Sequence, residues 1–428
     1  MINRLTELII RQNPAIRHAL HMTYPVVFLD EFQDTTYAQF ELVQTTFTGS
    51  RAVFTAVGDD KQRIMGWAGA MSNAFEEFMR CFSARRISLL SNWRAHGELV
   101  RIQHVIASKI DPDVEFPEAR GRLEVDGDVA GLWQFDTRQQ ERETLARWIA
   151  HEVQTRNIAP HDFALLVRLR ADDVEQELAP ALAEAGLKLR NVARIVGEIA
   201  IQDILGEELT AFLLPLLRLG ASARHPESWI RTQQNLQFLE ALAEDDDLGQ
   251  ERLQRSLQSF VRQLRASMLS VQPDEVAARE MAQRVLDFFD SGRFRQAFPA
   301  YQRTSDWERV WNGVKGLLQE SAVVGGSWSE VLDRFEGLGQ VPLMTVHRSK
   351  GLEFHTMIFY GLDNQTWWSL TPNRAEELNS FFVAFTRAKQ RAFFTLCWER
   401  GQAIVWIERL LVPVGVRRVD GVSILQGL

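Results

Sequence analysis

Short apolar segments alternate with segments of helical periodicity over the first hundred residues, and this alternation limits the possible folds more than any other feature. The segments PVVFLD at 25–30 and AVFTAVGD at 52–59 each end in acidic residues. Helical periods begin near Tyr37 and Asn73, and a further apolar run, ISLL, occupies 87–90. Nearly continuous apolar strands separated by helices are typical of a parallel sheet covered on both faces. The sequence therefore predicts an α/β fold.

A second α/β region follows and is interrupted by a long helical stretch. Strand-like segments such as FALLVRL at 163–169 precede the interruption, and VPLMTVH at 341–347 resumes the pattern after it. From about residue 203 to residue 335 nearly every segment has helical period. We therefore predict a first domain at 1–110, a linker at 111–127, the first part of a second domain at 128–202, a helical insertion at 203–337 and the second part at 338–428.

Composition excludes several classes of protein. The 428 residues are 46% hydrophobic and 24% charged, which is globular usage and excludes a disordered or low-complexity chain. The chain has 48 Lys and Arg and 56 Asp and Glu, which gives a net charge of -8. The overall charge therefore does not favour binding of a polyanion such as nucleic acid, and any site for a polyanion must be a local one. Neither an uninterrupted membrane-spanning segment nor a cysteine framework is present. We expect a soluble, cytoplasmic protein without a membrane partner.

Acidic and polar side chains follow the first two predicted strands. Ligands of open α/β sheets bind at the carboxyl ends of the strands, so Asp30 could hold Mg²⁺ while Glu31 polarises a water molecule. The alternative is a solvated acidic turn. In the turn after the second strand, Gln62 could sense a phosphate and Trp67 could stack on a base, although a lone tryptophan is more often packed in a core or loop. Two consecutive strand ends of this kind favour a nucleotide site.

Five sequence motifs in a fixed order resemble those of superfamily 1 DNA helicases of the UvrD, Rep and PcrA type. The resemblance runs from near residue 20 to near residue 400. The matching segments, similar to helicase motifs II to VI, are DEFQD at 30–34, GDDKQRIMGWAGA at 58–70, LLSNWRAHGELV at 89–100, MTVHRSKGLEF at 344–354 and FFVAFTRAKQ at 381–390. The resemblance implies the P-loop NTPase, or RecA-like, architecture: a partial first RecA-like domain and a second RecA-like domain that carries the helical insertion.

The resemblance also implies ATP and Mg²⁺ as cofactors and assigns roles at the nucleotide. Asp30 would coordinate the metal through water and Glu31 would orient the attacking water. Gln62 and Arg94 would touch the γ-phosphate, and Arg387 would be the arginine finger, since a planar guanidinium can bind two phosphate oxygens. The motif V residues Gly351 and Glu353 would lie near the nucleotide.

A second set of residues is implied at the nucleic acid, which would be single-stranded DNA or a junction of single- and double-stranded DNA. Trp67 would stack on a base, and the motif V residues Thr345, His347 and Lys350 would couple the nucleotide state to the DNA. The segment departs from the family pattern, with Met65 where an aromatic residue is frequent and Ala68 where an arginine is frequent.

The phosphate-binding loop of the family has no counterpart in this sequence. An ATP-driven motor of this class needs a Gly-rich loop ending in Gly-Lys-Thr or Gly-Lys-Ser, because its backbone N–H groups and lysine hold the β- and γ-phosphates. No such loop occurs in the 428 residues. Three interpretations follow: part of a UvrD-like helicase that moves 3′ to 5′, a split motor completed by a second polypeptide, or a catalytically inactive remnant that binds nucleic acid or protein.

Overall fold

The computed structural model describes residues 2–121, 125, 127–243 and 245–426. Residues 122–124 and 126 of the predicted linker lie outside the described residues, as do residue 1 and residues 427–428 at the ends of the predicted domains. The chain forms two compact units, one of Met1–Thr144, Leu166–Leu169 and Thr345–Leu428 and the other of Leu145–Leu165 and Arg170–Met344. The domain boundaries given above stay predictions.

The strands are short and most are rich in aliphatic and aromatic residues. They are β1 Val26–Leu29, β2 Val53–Ala56, β3 Ser91–Asn92, β4 Glu118–Ala119, β5 Ala130–Phe135, β6 Phe163–Val167, β7 Leu189–Asn191, β8 Ile195–Val196, β9 Ile199–Ala200, β10 Val341–Thr345, β11 Phe354–Phe359, β12 Ala388–Cys397 and β13 Arg417–Asp420.

A seven-stranded sheet has the order β13-β5-β12-β11-β6-β10-β7. The pairs β13–β5, β5–β12, β12–β11 and β10–β7 are parallel. Every residue of β6 is buried, as are Met357 to Phe359 of β11 and Phe393 and Phe394 of β12. Strands buried on both faces read as continuous apolar runs, which is why the sequence pattern located them. The α/β fold class is therefore confirmed.

Helices fill most of the remaining chain. They are α1 Ile2–Gln12, α2 Pro14–Thr23, α3 Tyr37–Phe47, α4 Ala74–Phe82, α5 Gly97–Ile110, α6 Arg138–Arg156, α7 Ala171–Glu184, α8 Ile201–Gly206, α9 Glu208–Ala221, α10 Pro226–Leu239, α11 Asp247–Ser270, α12 Glu275–Phe289, α13 Ser291–Ala297, α14 Thr304–Ala322, α15 Trp328–Glu336, α16 Ala375–Phe385, α17 Val405–Leu411 and α18 Gly421–Gln426. None of the helices in the described ranges has the length and apolar character required to cross a membrane.

The helices α8 to α15 share one apolar core in the second unit. The buried faces of α9, α11, α12 and α14 meet there, with Leu213, Leu257, Ala278 and Val314 each almost fully buried. The α15 helix begins with a capping box in which Ser327 and Glu330 satisfy each other's backbone N–H groups. A helical block therefore occupies the chain between β9 and β10.

The first two strands differ from the prediction of a sheet covered on both faces. β1 and β2 pair in parallel as a separate two-stranded sheet. One face packs through Leu29, Phe54 and Ala56 on an aromatic cluster, whereas Val26 and Phe28 on the other side are exposed. In this two-stranded sheet, neighbouring elements cover only one of the two faces.

The predicted strand at 87–90 was wrong. The regular ladder starts only at β3, which pairs with β4 in parallel, and Leu89 is exposed. An apolar run becomes a strand only where a neighbouring strand supplies its hydrogen-bond partners, and sequence periodicity does not report that neighbour.

Candidate active site

The two acidic residues after β1 lie in a sharp turn. Glu31 has a φ of +48°, a left-handed conformation that is uncommon for residues other than glycine. Its backbone N–H donates a hydrogen bond to the Asp30 carboxylate over 2.8 Å. The turn leaves both carboxylates exposed at the end of the strand, where they can meet a ligand.

Gln33 links this turn to the loop that follows β2. Its side-chain amide donates to Glu31 Oε2 over 2.5 Å, and its Oε1 accepts the backbone N–H of Asp59 over 3.1 Å. The side chain is only 1% exposed. Residue 58 must be glycine for this arrangement, because a Cβ on Gly58 would stand 2.1 Å from Gln33 Oε1. Gln33 thus fixes the direction of the Glu31 carboxylate.

Lys350 faces the same carboxylate from the turn after β10. Its Nζ lies 3.0 Å from Glu31 Oε2 and forms a second ion pair with Asp34. Partial burial disfavours the charged ammonium, but the hydrogen bonds to Asp34 and Glu31 outweigh it, so the pKa of Lys350 is raised. The structure therefore places Lys350 beside Glu31, whereas the sequence grouped it with the nucleic-acid residues.

Arg387, just beyond the end of α16, reaches the loop after β2. Its Nη2 donates to Gln62 Oε1 over 2.9 Å, and Gln62 in turn donates to Asp59 over 3.1 Å. Its Nε donates to the carbonyl oxygen of Val383 over 3.0 Å, which fixes the guanidinium. Burial, and then the nearby charge of Arg94, lower the pKa of Arg387.

Arg94 forms an ion pair with Glu353. The Asn92 side chain holds the Arg94 turn by accepting the backbone N–H groups of Arg94 and Ala95 at 3.0 and 2.9 Å. Both charged side chains are partly exposed. Gly351, two residues before Glu353, has a φ of +81°, which a residue with a side chain adopts only with strain. Arg94 and Arg387 thus bring two positive charges close together near the end of β1.

The three remaining predicted residues do not join this cluster through a described side-chain hydrogen bond or ion pair. Trp67 is 74% exposed in the 3₁₀ turn Gly66–Ala68. Thr345 is the last residue of β10, and His347 is exposed in the 3₁₀ turn that follows. Their predicted contact with nucleic acid stays a prediction.

The donor set fits a metal ion that is shared with a phosphate. Among the described residues, no group of three His, Cys, Asp or Glu side chains could hold a metal ion by itself. Mg²⁺ usually binds one or two carboxylates together with substrate phosphates, and Asp30 offers one exposed carboxylate at a strand end. The site is thus suited to a metal–nucleotide complex.

Two protein families match the chain. Residues 1–83 match the UvrD/REP helicase N-terminal domain, and residues 224–399 match the UvrD-like helicase C-terminal domain. Together the matches cover more than half of the chain and include Glu31, Gln62, Lys350 and Arg387. The chain belongs to the UvrD/Rep family of DNA helicases.

Relatives within the UvrD/Rep family resemble nearly the whole chain at low identity. The chain is 24% identical to the ATP-dependent DNA helicase Rep of Escherichia coli (strain K12), over 93% of this chain and 64% of Rep. It is 23% identical to the ATP-dependent DNA helicase PcrA of Leuconostoc citreum, over 90% of this chain and 56% of PcrA. The chain therefore spans less than two thirds of the length of these relatives.

The sequence did not reveal the residues that hold the candidate active site together. Besides Gln33, these are Gln103, whose amide donates to the carbonyl oxygen of Phe385 over 2.8 Å, and Asn379, whose amide donates to that of Arg63 over 3.1 Å. Both join segments far apart in sequence. A buried amide within an otherwise apolar helix face was the available signal, and it does not identify the partner.

Proposed function

We propose that residues 1–428 are the motif II to motif VI part of an ATP-dependent motor that moves 3′ to 5′ on single-stranded DNA and unwinds duplex DNA at junctions. The phosphate-binding loop would come from a segment outside these residues, in the same chain or in a second polypeptide. The observation that carries the proposal is that Glu31, Gln62, Arg94 and Arg387 converge although they are up to 356 positions apart in sequence. We also propose that the protein is cytoplasmic.

The carboxylates of the cluster would act on water and metal. ATP with Mg²⁺ supplies the phosphoanhydride bond and the charge that draws these groups together. Asp30 would hold the metal through water, and Glu31, aimed by Gln33, would accept a hydrogen bond from the attacking water. Lys350 contacts the Glu31 carboxylate in the structure, so this contact would have to open before Glu31 could accept a hydrogen bond from the attacking water.

The arginines would act on the transferred phosphate. Arg387 is anchored by Val383 and Gln62, so its guanidinium needs little reorganisation when negative charge develops nearby. Arg94 now neutralises Glu353, and an incoming phosphate would compete for it. Burial, and then the nearby positive charge of Arg94, lower the pKa of Arg387, so an anion between the two guanidiniums is favoured electrostatically.

An exposed apolar face on the β1–β2 sheet supports the need for a further segment. Val26 and Val53 are opposite each other in the ladder and both are exposed, and Phe28 is 71% exposed. Contiguous apolar surface of this kind marks an interaction site in soluble proteins. Further strands that carry the phosphate-binding loop would cover it.

The test uses the native protein that carries residues 1–428, isolated through a tag on its chromosomal gene with whatever polypeptide accompanies it. We expect ATP hydrolysis that single-stranded DNA stimulates and that Glu31→Gln abolishes. We also expect a Gly-x-x-x-x-Gly-Lys-Thr or -Ser segment in the longer chain or in the partner. The 428-residue chain by itself should hydrolyse ATP close to background, because it lacks the loop that holds the β- and γ-phosphates.

The alternative is a catalytically inactive remnant that binds nucleic acid or another protein. It would be favoured if the native material bound single-stranded DNA but hydrolysed no ATP. Robust hydrolysis by the isolated 428-residue chain, abolished by Glu31→Gln, would contradict both the split motor and the remnant.

A further inference from the structure

A pocket of about 370 Å³ lies between the loop after β11 and the start of α17, and the cluster of motif residues does not use it. Its walls are largely aromatic and aliphatic: Trp367, Trp368 and Pro372 on the loop, and Val405, Trp406 and Arg409 on or beside the helix. The volume is that of a small ligand site or of one or two side chains of a bound peptide.

The two walls are fixed to each other, so the pocket is preformed. The indole Nε1 of Trp406 donates to the carbonyl oxygen of Leu370 over 3.0 Å. The backbone N–H of Asn364 donates to the carbonyl oxygen of Gln402, and the N–H of Gln402 donates to the Asn364 side chain, both over 2.9 Å. A preformed pocket lowers the entropy that binding costs.

Large apolar groups line the pocket and remain in contact with solvent. Trp368 is 59% exposed and Val405 is 54% exposed. The guanidinium carbons of Arg168 and Arg374 lie over the Trp368 ring, 5.1 and 5.2 Å from its centroid. These cation–π contacts hold the indole in place without covering the pocket. Exposed tryptophan and arginine are the residues that most often dominate a protein interface.

Three arginines lie at the pocket or beside it: Arg409 lines it, and Arg168 and Arg374 contact the ring of Trp368. Arg168 is neutralised by Glu377 at 2.8 Å, whereas Arg374 and Arg409 are exposed and form no ion pair with any residue that the structure describes. A ligand that carries carboxylates would neutralise both arginines.

We propose that this pocket docks an acidic peptide segment of another protein, with an aromatic or aliphatic side chain in the pocket and carboxylates on Arg374 and Arg409. Apolar walls favour a hydrophobic side chain over a phosphodiester. A base that stacked on Trp368 would have to displace the guanidiniums that lie over the ring, so the geometry favours a peptide over single-stranded DNA. The proposal does not depend on ATP hydrolysis.

The test begins with a random peptide library displayed on phage and selected on the 428-residue protein. Peptides recovered are synthesised with a fluorescent label, and their affinities are measured by anisotropy. We expect an apolar anchor next to Asp or Glu. Val405→Glu, and separately the pair Arg374→Glu and Arg409→Glu, should each weaken binding at least about tenfold.

Matched controls come from the helical unit. Val276 is 53% exposed, nearly as much as Val405, and Arg231 is an exposed arginine, so Val276→Glu and Arg231→Glu repeat the chemical changes elsewhere. Both controls should leave the peptide affinity within about twofold. The proposal is overturned if the selected peptides bind Val405→Glu as tightly as the parent. It is also overturned if the pocket variants weaken binding of a labelled oligothymidine and not of the peptides.

Discussion

Gln33 is buried between two loops that each follow a strand, and both ends of its side-chain amide are used there. One end orients the Glu31 carboxylate and the other holds the Asp59 backbone N–H. The sequence made no prediction for Gln33, which stands among charged residues in a segment that could be either a metal-binding strand end or a solvated acidic turn. Its burial depends on the second loop and on the missing Cβ at Gly58, which no local pattern reveals.

Gln33→Ala should lower the free energy of unfolding by about 1–3 kcal/mol, because it leaves the Asp59 N–H without its acceptor and removes the bond to Glu31. Urea unfolding of the parent and the variant measures the change. Gln234→Ala, at an exposed glutamine on α10, is the control and should change stability by less than about 0.5 kcal/mol. Equal effects of the two substitutions would show that the Gln33 bonds contribute nothing.

Lys350 predicts a dependence of stability on alkaline pH. Its pKa is raised in the folded protein above the ordinary value of 10.5, chiefly because hydrogen bonds to Asp34 and Glu31 outweigh partial burial. A base whose pKa rises on folding contributes stability that is fully present below its unfolded pKa and is lost as the pH rises through the folded pKa. The stability that Lys350 contributes should therefore disappear above pH 10.5.

The measurement is the difference in unfolding free energy between the parent and Lys350→Met at about pH 8 and about pH 11.5. We expect the parent to be more stable at the lower pH and the difference to shrink at the higher pH. Lys109→Met, at an exposed lysine of α5, should show little difference at either pH. A Lys350 difference that does not change with pH would mean that the ion pairs contribute no net stability.

The strands and helices themselves were largely predictable. The strands β6, β10 and β12 are buried, and their sequences are apolar runs. The helices α8 to α15 have apolar residues at helical spacing. In both cases the pattern reflects which side chains are buried. The segment 87–90 carries the same signal, but regular strand pairing begins only at Ser91. What sequence could not provide was tertiary pairing, which also decides where Gln103 and Asn379 make their bonds.

Arg190 and Gly337 lie together at the C-terminal end of α15. Arg190 is buried and its guanidinium donates to the carbonyl oxygens of Arg334 and Phe335 in the last turn of the helix, where the backbone N–H of Gly337 also donates to Arg334. Gly337 follows with a φ of +84°, and a Cβ there would stand 2.8 Å from Arg190 Cδ. Gly339 has a similar φ of +72° but no neighbour within 4 Å of a built Cβ.

Gly339→Ala should therefore cost about 1–2 kcal/mol through backbone strain alone. Gly337→Ala should cost at least about 1 kcal/mol more, because the new methyl group displaces Arg190 from the helix end. Urea unfolding of both variants separates the two effects. If they lost the same stability, the contact between Gly337 and Arg190 would have no energetic importance.

Across the whole molecule, exposed large apolar side chains are concentrated near the start of the chain. They include Leu5, Phe28 and Val53 in the first sixty residues and Leu89 and Trp93 further on. The seven-stranded sheet, by contrast, is buried in its central strands. Contiguous exposed apolar surface marks interaction sites in other proteins, so this region is where the further segment proposed above would pack.

The last prediction separates hydrolysis from DNA binding in the complete motor proposed above. Arg387 is buried, anchored and aimed at Gln62, whereas Trp67 is an exposed indole on a 3₁₀ turn. An arginine that neutralises charge developing in the transition state affects turnover, and its loss can reduce the rate by about 10³ to 10⁵. A stacking residue contributes about 1–3 kcal/mol per base, which affects affinity for the strand.

In the native protein that contains the phosphate-binding loop, Arg387→Ala should thus abolish ATP hydrolysis and leave single-stranded DNA binding largely intact. Trp67→Ala should weaken DNA binding by about tenfold or more at saturating ATP and leave the maximal hydrolysis rate, measured at saturating DNA, close to that of the parent. Trp398→Ala, at an exposed tryptophan outside the five motif segments, is the control for Trp67. Hydrolysis by Arg387→Ala at the parental rate would require withdrawing the arginine-finger role, because a buried guanidinium would then serve only to hold Gln62 in place.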